Sequence, residues 1–287
     1  MAVPRQLTEG EISPSLASLG KDIRETLQIS WLPAPFQEMS ATGYLPLAWP
    51  QLKPSLETEQ FVRLAERLAN DATSVIRTLY LPGYDTGDVQ QLGVSLQEQA
   101  TTRSMLSALI FGLSQTTLAV TALRLALDGT PPGGRDMIAW PRRPTTWATI
   151  PIPSTTVGAA GARVRHVFDA TRQALRLSHV PRSYGILAAW PRYLALAWSD
   201  LADVVREPAF AAAETELVEE SLHLCELFPT RVDATIECLR AHGQTRIQID
   251  RARQILFQAT SELPVELLLT ICLRRPLGGN RSTVVGF

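Results

Sequence analysis

One seven-residue pattern occurs twice in this chain, and it constrains the fold more than any other feature. Residues 43–49 read GYLPLAW, and residues 192–198, 149 positions later, read RYLALAW. Upstream the correspondence continues at an offset of 148, pairing Arg24, Leu27, Ser30 and Pro33 with Arg172, Leu175, Ser178 and Pro181. Collinear matches over this length predict an internal duplication, in which one structural unit is built twice.

The repeated unit is predicted to be helical. Apolar residues recur at steps of three and four over residues 55–80, which is the pattern of one buried helix face, with Ser55 as the expected N-cap after Pro54. Similar patterns cover residues 22–29, 95–127, 162–176, 184–204, 208–228, 231–241 and 245–272. Pro264 is expected to break or kink the last of them. No series of alternating strands is visible, so the expected fold class is all-α.

Residues 128–157 separate the two copies. This stretch contains six prolines, which remove backbone donors and fix φ, so no long helix is expected in it. Its length exceeds that of ordinary loops and is typical of a domain connection, and Trp140 and Trp147 suggest that it packs along the surface. We therefore predict helical repeat 1 over residues 1–127, a Pro-rich linker over 128–157 and helical repeat 2 over 158–287.

Two copies of one unit are expected to pack as a pseudo-twofold dimer, as identical subunits do. A pocket at such an interface would be built from equivalent positions of both halves. The segments after the first helix of each copy, residues 30–43 and 178–191, are the expected walls of that pocket.

Composition excludes several classes of partner. The chain carries 27 basic and 28 acidic residues, a net charge of −1, which gives no electrostatic basis for binding nucleic acid or an anionic membrane. The longest apolar stretches are interrupted before 18 residues, so no membrane span is expected, and the N-terminus lacks the apolar core of a secretion signal. A cytoplasmic location is expected by default.

Cofactor and metal motifs are not found in the sequence. The three cysteines have no CxxC spacing, and the glycine pairs form neither a phosphate-binding loop nor a dinucleotide fingerprint. Glu220-x-x-His223 has the i, i+3 spacing of di-iron helical proteins but lacks the second motif that such sites need. We therefore expect no metal and no cofactor.

Several segments together resemble one known family, the group I 2-haloacid dehalogenases. They are Asp22-Ile23-Arg24-x-Thr26-Leu27, Trp31, the GYLPLAW string of residues 43–49, Phe111-Gly112 and Leu187-Ala188-x-Trp190-Pro191. The resemblance implies an all-α fold of two repeats with the active site between them. It also implies hydrolysis of short 2-halocarboxylic acids without metal or cofactor. In that family an Asp activates a water molecule, which attacks the halogen-bearing carbon directly.

The position that the resemblance assigns to this Asp holds no carboxylate. Counted back from Trp190-Pro191 it is Ser183, and anchored on Pro181 with a one-residue gap it is Tyr184. Neutral Ser and Tyr are poor water-activating bases at pH 7. Trp31 is the pocket residue that carries over directly, and Phe36 stands in for a nearby family Phe.

Three candidates remain open around this position. His179 is the repeat equivalent of Trp31, and it is either a base facing Trp31 across the pseudo-axis or a loop histidine without a role. Ser183 and Tyr184 are either a redesigned catalytic pair or a helix N-cap followed by a packing aromatic. Arg182 is either a clamp for a substrate carboxylate or a solvated surface charge.

Three functional hypotheses follow. The first is a divergent, cofactor-free enzyme that acts on a small organic acid or related metabolite in a pocket between the repeats. The second is a true hydrolytic 2-haloacid dehalogenase with a displaced base, either His179 or a distant carboxylate. The third is a non-catalytic ligand-binding or structural relative. The expected partner is a small molecule, and a second copy of the chain, forming a homodimer, is a further candidate.

Overall fold

The computed structural model describes residues 14–79, 86–134, 140–153 and 160–277, and within these ranges the chain forms twelve α-helices and no strand. In order they are α1 (Pro14–Leu27), α2 (Ala34–Ser40), α3 (Tyr44–Leu56), α4 (Glu59–Thr78), α5 (Thr86–Gln91), α6 (Leu96–Leu127), α7 (Ala162–Leu175), α8 (Arg182–Leu187), α9 (Pro191–Val204), α10 (Pro208–Cys225), α11 (Ile236–Ala241) and α12 (Arg246–Arg274). The predicted all-α class is confirmed.

The order of helix lengths in the first half recurs in the second. Helices α1 to α6 have 14, 7, 13, 20, 6 and 32 residues. Helices α7 to α12 have 14, 6, 14, 18, 6 and 29 residues. This parallel order supports the internal repeat, which stays a prediction about how the halves are related.

Local features recur with the same spacing. Gln28 and Arg176, which follow α1 and α7, are both left-handed with φ of 54°. The long helices α6 and α12 both begin with a capping box. In each, the hydroxyl of the N-cap residue accepts a hydrogen bond from the N3 backbone N–H, and the N3 side chain accepts one from the N-cap backbone N–H. The same local solution to chain reversal and helix initiation is therefore used in both halves.

Buried tyrosines from the repeated motif anchor each half to its long helix. The Tyr44 hydroxyl donates to the Leu123 carbonyl of α6 at 3.0 Å, and the Tyr193 hydroxyl donates to the Leu273 carbonyl of α12 at 3.4 Å. A buried phenol needs such a partner, since an unpaired hydroxyl in the core is costly. This explains why the motif contains tyrosine at the start of α3 and near the start of α9.

The long helices α6 and α12 pack against each other and form the centre of one apolar core that both halves share. By length and composition alone, α6 and the run Arg246–Leu277 are long and apolar enough to cross a membrane. We had expected no such stretch, because charged and polar residues interrupt the apolar runs before 18 residues. Their apolar windows are 100% and 83% buried inside the protein. Burial in the core thus accounts for their apolar character.

The expected cap of α4 was wrong, and of the break or kink expected at Pro264 the break was wrong. Residue Ser55 does not cap α4: it lies buried in the last turn of α3, while Thr58 caps α4 by accepting a hydrogen bond from the Phe61 N–H. Helix α12 runs from Arg246 to Arg274 without a break at Pro264. Dense packing of α12 in the core outweighs the loss of one backbone hydrogen bond at the proline.

The linker is tied to the first half through its backbone. The Glu59 N–H donates to the Trp140 carbonyl at 2.8 Å, and the Arg142 N–H donates to the Glu57 carbonyl at 2.9 Å. The Glu59 N–H lies at the start of α4 and the Glu57 carbonyl at the end of α3, where backbone groups lack helical partners. The linker therefore lies across the α3–α4 junction.

The two linker tryptophans behave differently. The Trp147 ring packs near Phe111 of α6, with centroids 5.9 Å apart, whereas the Trp140 side chain is 70% exposed. Packing along the surface was expected of both. Only the Trp147 side chain packs against the protein surface. At Trp140 the backbone is held by the hydrogen bond from Glu59, and the side chain is exposed.

Candidate functional site

A small cavity lies where the two predicted pocket walls approach each other. It is lined by residues of α2, of the loop before α8 and of α12, namely Ala34, Pro35, Glu38, Ser178, His179, Ile255, Gln258, Ala259, Glu262 and Leu263. Its volume of about 20 Å³ is enough for one water molecule. Residues from both segments named in the sequence analysis thus meet at one place.

An imidazole held between two carboxylates dominates this place. His179 Nδ1 lies 3.2 Å from Glu262 Oε2, and His179 Nε2 lies 3.1 Å from Glu266 Oε1. The two glutamates are one helical turn apart on α12, and both are largely buried. Two buried like charges at this spacing repel each other, so they require a cation between them.

The electrostatics make His179 that cation. Burial alone would lower the pKa of His179, but the charge of Glu266 and the hydrogen bonds to Glu262 and Glu266 raise it to about 10. At neutral pH both ring nitrogens then carry protons and donate, and no lone pair remains to accept another proton. The geometry and the raised pKa favour a positively charged His179 over the base that its residue type suggested.

The carboxylate of Glu262 is fully occupied. It accepts from the Ser178 N–H at 2.9 Å, the Ser178 hydroxyl at 2.8 Å, the Gln258 amide at 2.9 Å and the His179 ring. Burial opposes ionisation of Glu262, but the bonds from His179, Gln258 and Ser178 outweigh it and lower the pKa of the carboxyl. This glutamate fixes the loop before α8 onto α12.

The carboxyl group of Glu38 differs from that of Glu262, because its pKa is raised and not lowered. It lies in the last turns of α2, half-buried, and lines the cavity across from Ser178 and His179. Burial raises the pKa of Glu38, against the opposing charge of His179, and the charge of Glu262 raises it further. A carboxyl group with a raised pKa at the edge of a cavity is typical of a group that takes up and releases protons.

Arg182 bridges the two segments at the start of α8. Its Nη2 lies 3.5 Å from the Leu32 carbonyl, a long contact that uses one of its five donors. Burial lowers the pKa of Arg182, and the charge of Glu266 acts against that lowering. Arg182 is therefore half-buried between the segments, not a fully solvated surface charge.

Trp31 is buried against α6 at a glycine. A Cβ at Gly112 would lie 2.5 Å from two carbons of the Trp31 ring, so only glycine leaves room for the indole. In the second half the predicted repeat equivalent of Trp31 is His179, which meets α12 at Glu262 and Glu266. The predicted repeat would therefore place an apolar ring at this position in one half and a charged cluster in the other.

Phe36 and Tyr184, which the predicted repeat pairs, make similar contacts in the core. The Phe36 ring meets Trp49 edge-on with centroids 5.9 Å apart, and the Tyr184 ring meets Trp198 edge-on at 6.2 Å. Both rings are fully buried, and burial raises the pKa of Tyr184 well above its usual range. This placement favours the packing interpretation of Tyr184 over a catalytic one.

Ser183 lies beside it, with 1% of its surface exposed and a hydroxyl oxygen that is buried without a hydrogen-bond partner. It does not cap α8, because Pro181 holds the N-cap position and no side-chain cap is formed. The neutral hydroxyl has no base beside it within the described contacts. Its catalytic role stays a prediction.

Sequence reasoning missed the three glutamates. Glu262 and Glu266 carried a detectable signal, since two carboxylates one turn apart interrupt an otherwise apolar run of a core helix. Glu38 carried none, because α2 was not predicted to be a helix. In the described part of the chain, no group of three or more His, Cys, Asp or Glu side chains is arranged to hold a metal ion.

Comparison with known proteins places the chain in a family. The family model described as halocarboxylic acid dehydrogenase DehI matches residues 30–184, more than half of the 287 residues. A configuration-inverting 2-haloacid dehalogenase of Alcaligenes xylosoxydans xylosoxydans is 26% identical over 244 residues, which cover 78% of this chain and 77% of that protein. One of Pseudomonas sp. (strain 113) is 28% identical over 204 residues, 68% of this chain and 65% of that protein.

Solved structures share the fold. A D-2-haloacid dehalogenase mutant in complex with D-2-CPA superposes with a TM-score of 0.84 at 22% identity, covering 95% of both chains. The complex of D-2-haloacid dehalogenase with L-LA gives a TM-score of 0.89 at 21% identity, covering 95% of this chain and 96% of that one. Together with the family match and the sequence relatives, this shows that the chain belongs to the DehI family of 2-haloacid dehalogenases.

Proposed function

We propose that this chain is a cofactor-free hydrolase that acts on a short 2-substituted organic acid between residues 30–43 and 178–191. The observation that carries the proposal is the cavity at the meeting point of these segments, which is lined by charged groups from both halves of the chain. The curated relatives are configuration-inverting 2-haloacid dehalogenases, so the reaction that we test first is hydrolytic release of halide from such acids.

The cavity lining itself carries Glu38, Glu262 and His179, and the group that could bind a small anion is Arg182, which lies nearby without lining the cavity. The His179 cation is balanced by Glu262 and Glu266. Within the described part of the chain, Arg182 makes one long hydrogen bond, to the Leu32 carbonyl of the first segment. A guanidinium binds a carboxylate through two parallel hydrogen bonds, which fixes the orientation of an acid as well as its affinity. Arg182 is therefore our candidate for binding the substrate carboxylate.

Trp31 and Phe36 supply the apolar part of the site in this proposal. Both are buried in the first half, on either side of the segment that carries the cavity-lining Ala34 and Pro35. A short organic acid is larger than the single water for which the cavity has room, so lining side chains have to move when the acid binds. The Trp31 indole packs closely against Gly112, and this contact limits how far the lining side chains can move.

The test is halide release from each enantiomer of 2-chloropropionate and 2-bromopropionate, with the configuration of the lactate product determined separately. We expect halide and lactate of inverted configuration, and we expect Arg182→Gln to raise KM. Arg176→Gln is the matched control, because Arg176 is an exposed arginine six residues away. Absence of halide at enzyme concentrations comparable to substrate would overturn hydrolytic dehalogenation.

A second candidate function is binding without catalysis. It is favoured by the small size of the cavity and by the tight packing of Trp31 against Gly112. Under this hypothesis 2-chloropropionate or lactate perturbs the NMR signals of residues 34–38 and 178–182, yet no halide appears. The same samples therefore separate the two candidates.

A further inference from the structure

The cavity contains two carboxylates, and only one of them is available to accept a proton. Four donors occupy Glu262, and the hydrogen bonds that it accepts favour its charged form. Among the described residues, no hydrogen bond or ion pair involves the Glu38 carboxylate. A base needs a free lone pair within reach of the proton that it removes, and Glu38 alone meets that condition among the lining carboxylates.

The other candidates for the base are disqualified by their surroundings. His179 is held as a cation between Glu262 and Glu266. Tyr184 is fully buried against Trp198 in the second half of the core. Glu266 is engaged by His179 and lies outside the cavity lining.

The position of Glu38 also fits the internal repeat. Phe36 and Tyr184 are equivalent by sequence offset and by their edge-on contacts with Trp49 and Trp198. Residue 38 thus lies about half a turn beyond the predicted first-half equivalent of Tyr184, which is one of the two positions, with Ser183, where the family resemblance places its Asp. The Glu38 carboxyl group on α2 belongs to a residue that lines the cavity together with Ser178 and His179 of the loop before α8.

We propose that Glu38 is the catalytic base of this protein, acting on a water molecule in the cavity. The inference rests on the proposed hydrolytic function. As the water oxygen forms its bond to C2 of the acid, the bond from C2 to the halogen breaks and halide leaves with the electron pair. One proton of the water passes to the Glu38 carboxylate and then to solvent, so that a 2-hydroxy acid and halide are the products.

Burial and charged groups on two elements set the ionisation of Glu38. Burial favours its neutral form, His179 of the loop before α8 and Arg251 of α12 favour its charged form, and Glu262 of α12 opposes it. The balance keeps the carboxyl protonated at higher pH than an ordinary glutamate. We therefore expect the acid limb of kcat/KM to lie above pH 4.5, the ordinary value for a glutamate side chain.

The test compares Glu38→Gln, Glu38→Asp and Glu66→Gln with the wild-type chain. Glu66 is a matched control because it is half-buried on α4 and burial raises its pKa in the same way, but it does not line the cavity. We expect Glu38→Gln to lower kcat by about 10²–10⁴-fold, the usual contribution of a general base. Binding of lactate, followed by NMR, should change little, because the amide keeps the shape of the side chain.

Glu38→Asp keeps a carboxylate and is expected to retain partial activity with a shifted acid limb. Glu66→Gln is expected to match the wild type. Thermal unfolding of each variant identifies any loss of activity that comes from a loss of fold. If Glu38→Gln folded normally and released halide at the wild-type rate, the assignment of Glu38 would be overturned while the proposed function stood. If the wild type released no halide from any of the four acids, the proposed function would fall, and the role of Glu38 with it.

Discussion

His179 Nε2 lies 3.1 Å from Glu266 Oε1, across a sequence separation of 87 residues. This pair, completed by Glu262 on the other ring nitrogen, joins the loop before α8 to the centre of α12. Neither glutamate has an alternative cation as close in the described contacts. The stability of the second half should therefore depend on the charge of one imidazole.

Replacement of His179 by Ala should be strongly destabilising. It would leave Glu262 and Glu266 as two buried carboxylates without their shared cation, and removal of one partner of a buried pair costs about 3–5 kcal/mol. Urea denaturation measures the change in the free energy of unfolding. His166→Ala, at an exposed position on α7, is the control and should change it little. A loss below about 1 kcal/mol would show that the cluster is weakly coupled.

The same cluster should make stability depend on pH in the alkaline range. The pKa of His179 is raised from 6.5 to about 10, so the folded state binds this proton more tightly than the unfolded state. Its contribution is complete below pH 6.5 and is lost as pH rises through about 10. Urea midpoints of the wild type and His179→Ala should therefore converge between these values. A constant difference from pH 6 to 10 would contradict the charged state of the imidazole.

Substitution of Gly112 by Ala should disturb the Trp31 side of the site. The added methyl group would lie 2.5 Å from the indole ring, and overpacking of this kind costs about 1–3 kcal/mol. Trp31→Phe removes the ring carbons that would clash, so Gly112→Ala should cost much less in that background. A double-mutant cycle on the free energy of unfolding measures this coupling. Additive effects would show that the indole moves away freely.

Arg142 should clamp the linker to the first half. Its Nη1 donates to the Thr26 carbonyl at 2.6 Å, the Leu56 carbonyl at 3.3 Å and Gln115 Oε1 at 3.1 Å. Arg142→Ala would leave these acceptors without their shared donor, and buried unsatisfied groups cost about 1–3 kcal/mol. Arg143→Ala is the neighbouring control, since that side chain is exposed. Equal urea midpoints for the two variants would contradict the clamp.

The sequence by itself determined the fold class and the central helices of this protein. The apolar windows of α6 and α12 and the hydroxyl residues that open their capping boxes are local signals, because helix formation and burial follow from neighbours on the same stretch of chain. The motif residues that resemble the family act in the same local way. They were sufficient to name the family before any contact was known.

Tertiary structure alone decided which polar groups are free to react. Ser178 and Glu262 are 84 residues apart in sequence, so no local pattern shows that Ser178 donates hydrogen bonds to the Glu262 carboxylate. The state of His179 changes from a possible base to a cation only when Glu262 and Glu266 are placed against it, since charge interactions depend on distance in space. Glu38 is left available for the same reason, because α2 brings it to the cavity and no hydrogen bond or ion pair to it is formed within the described part of the chain.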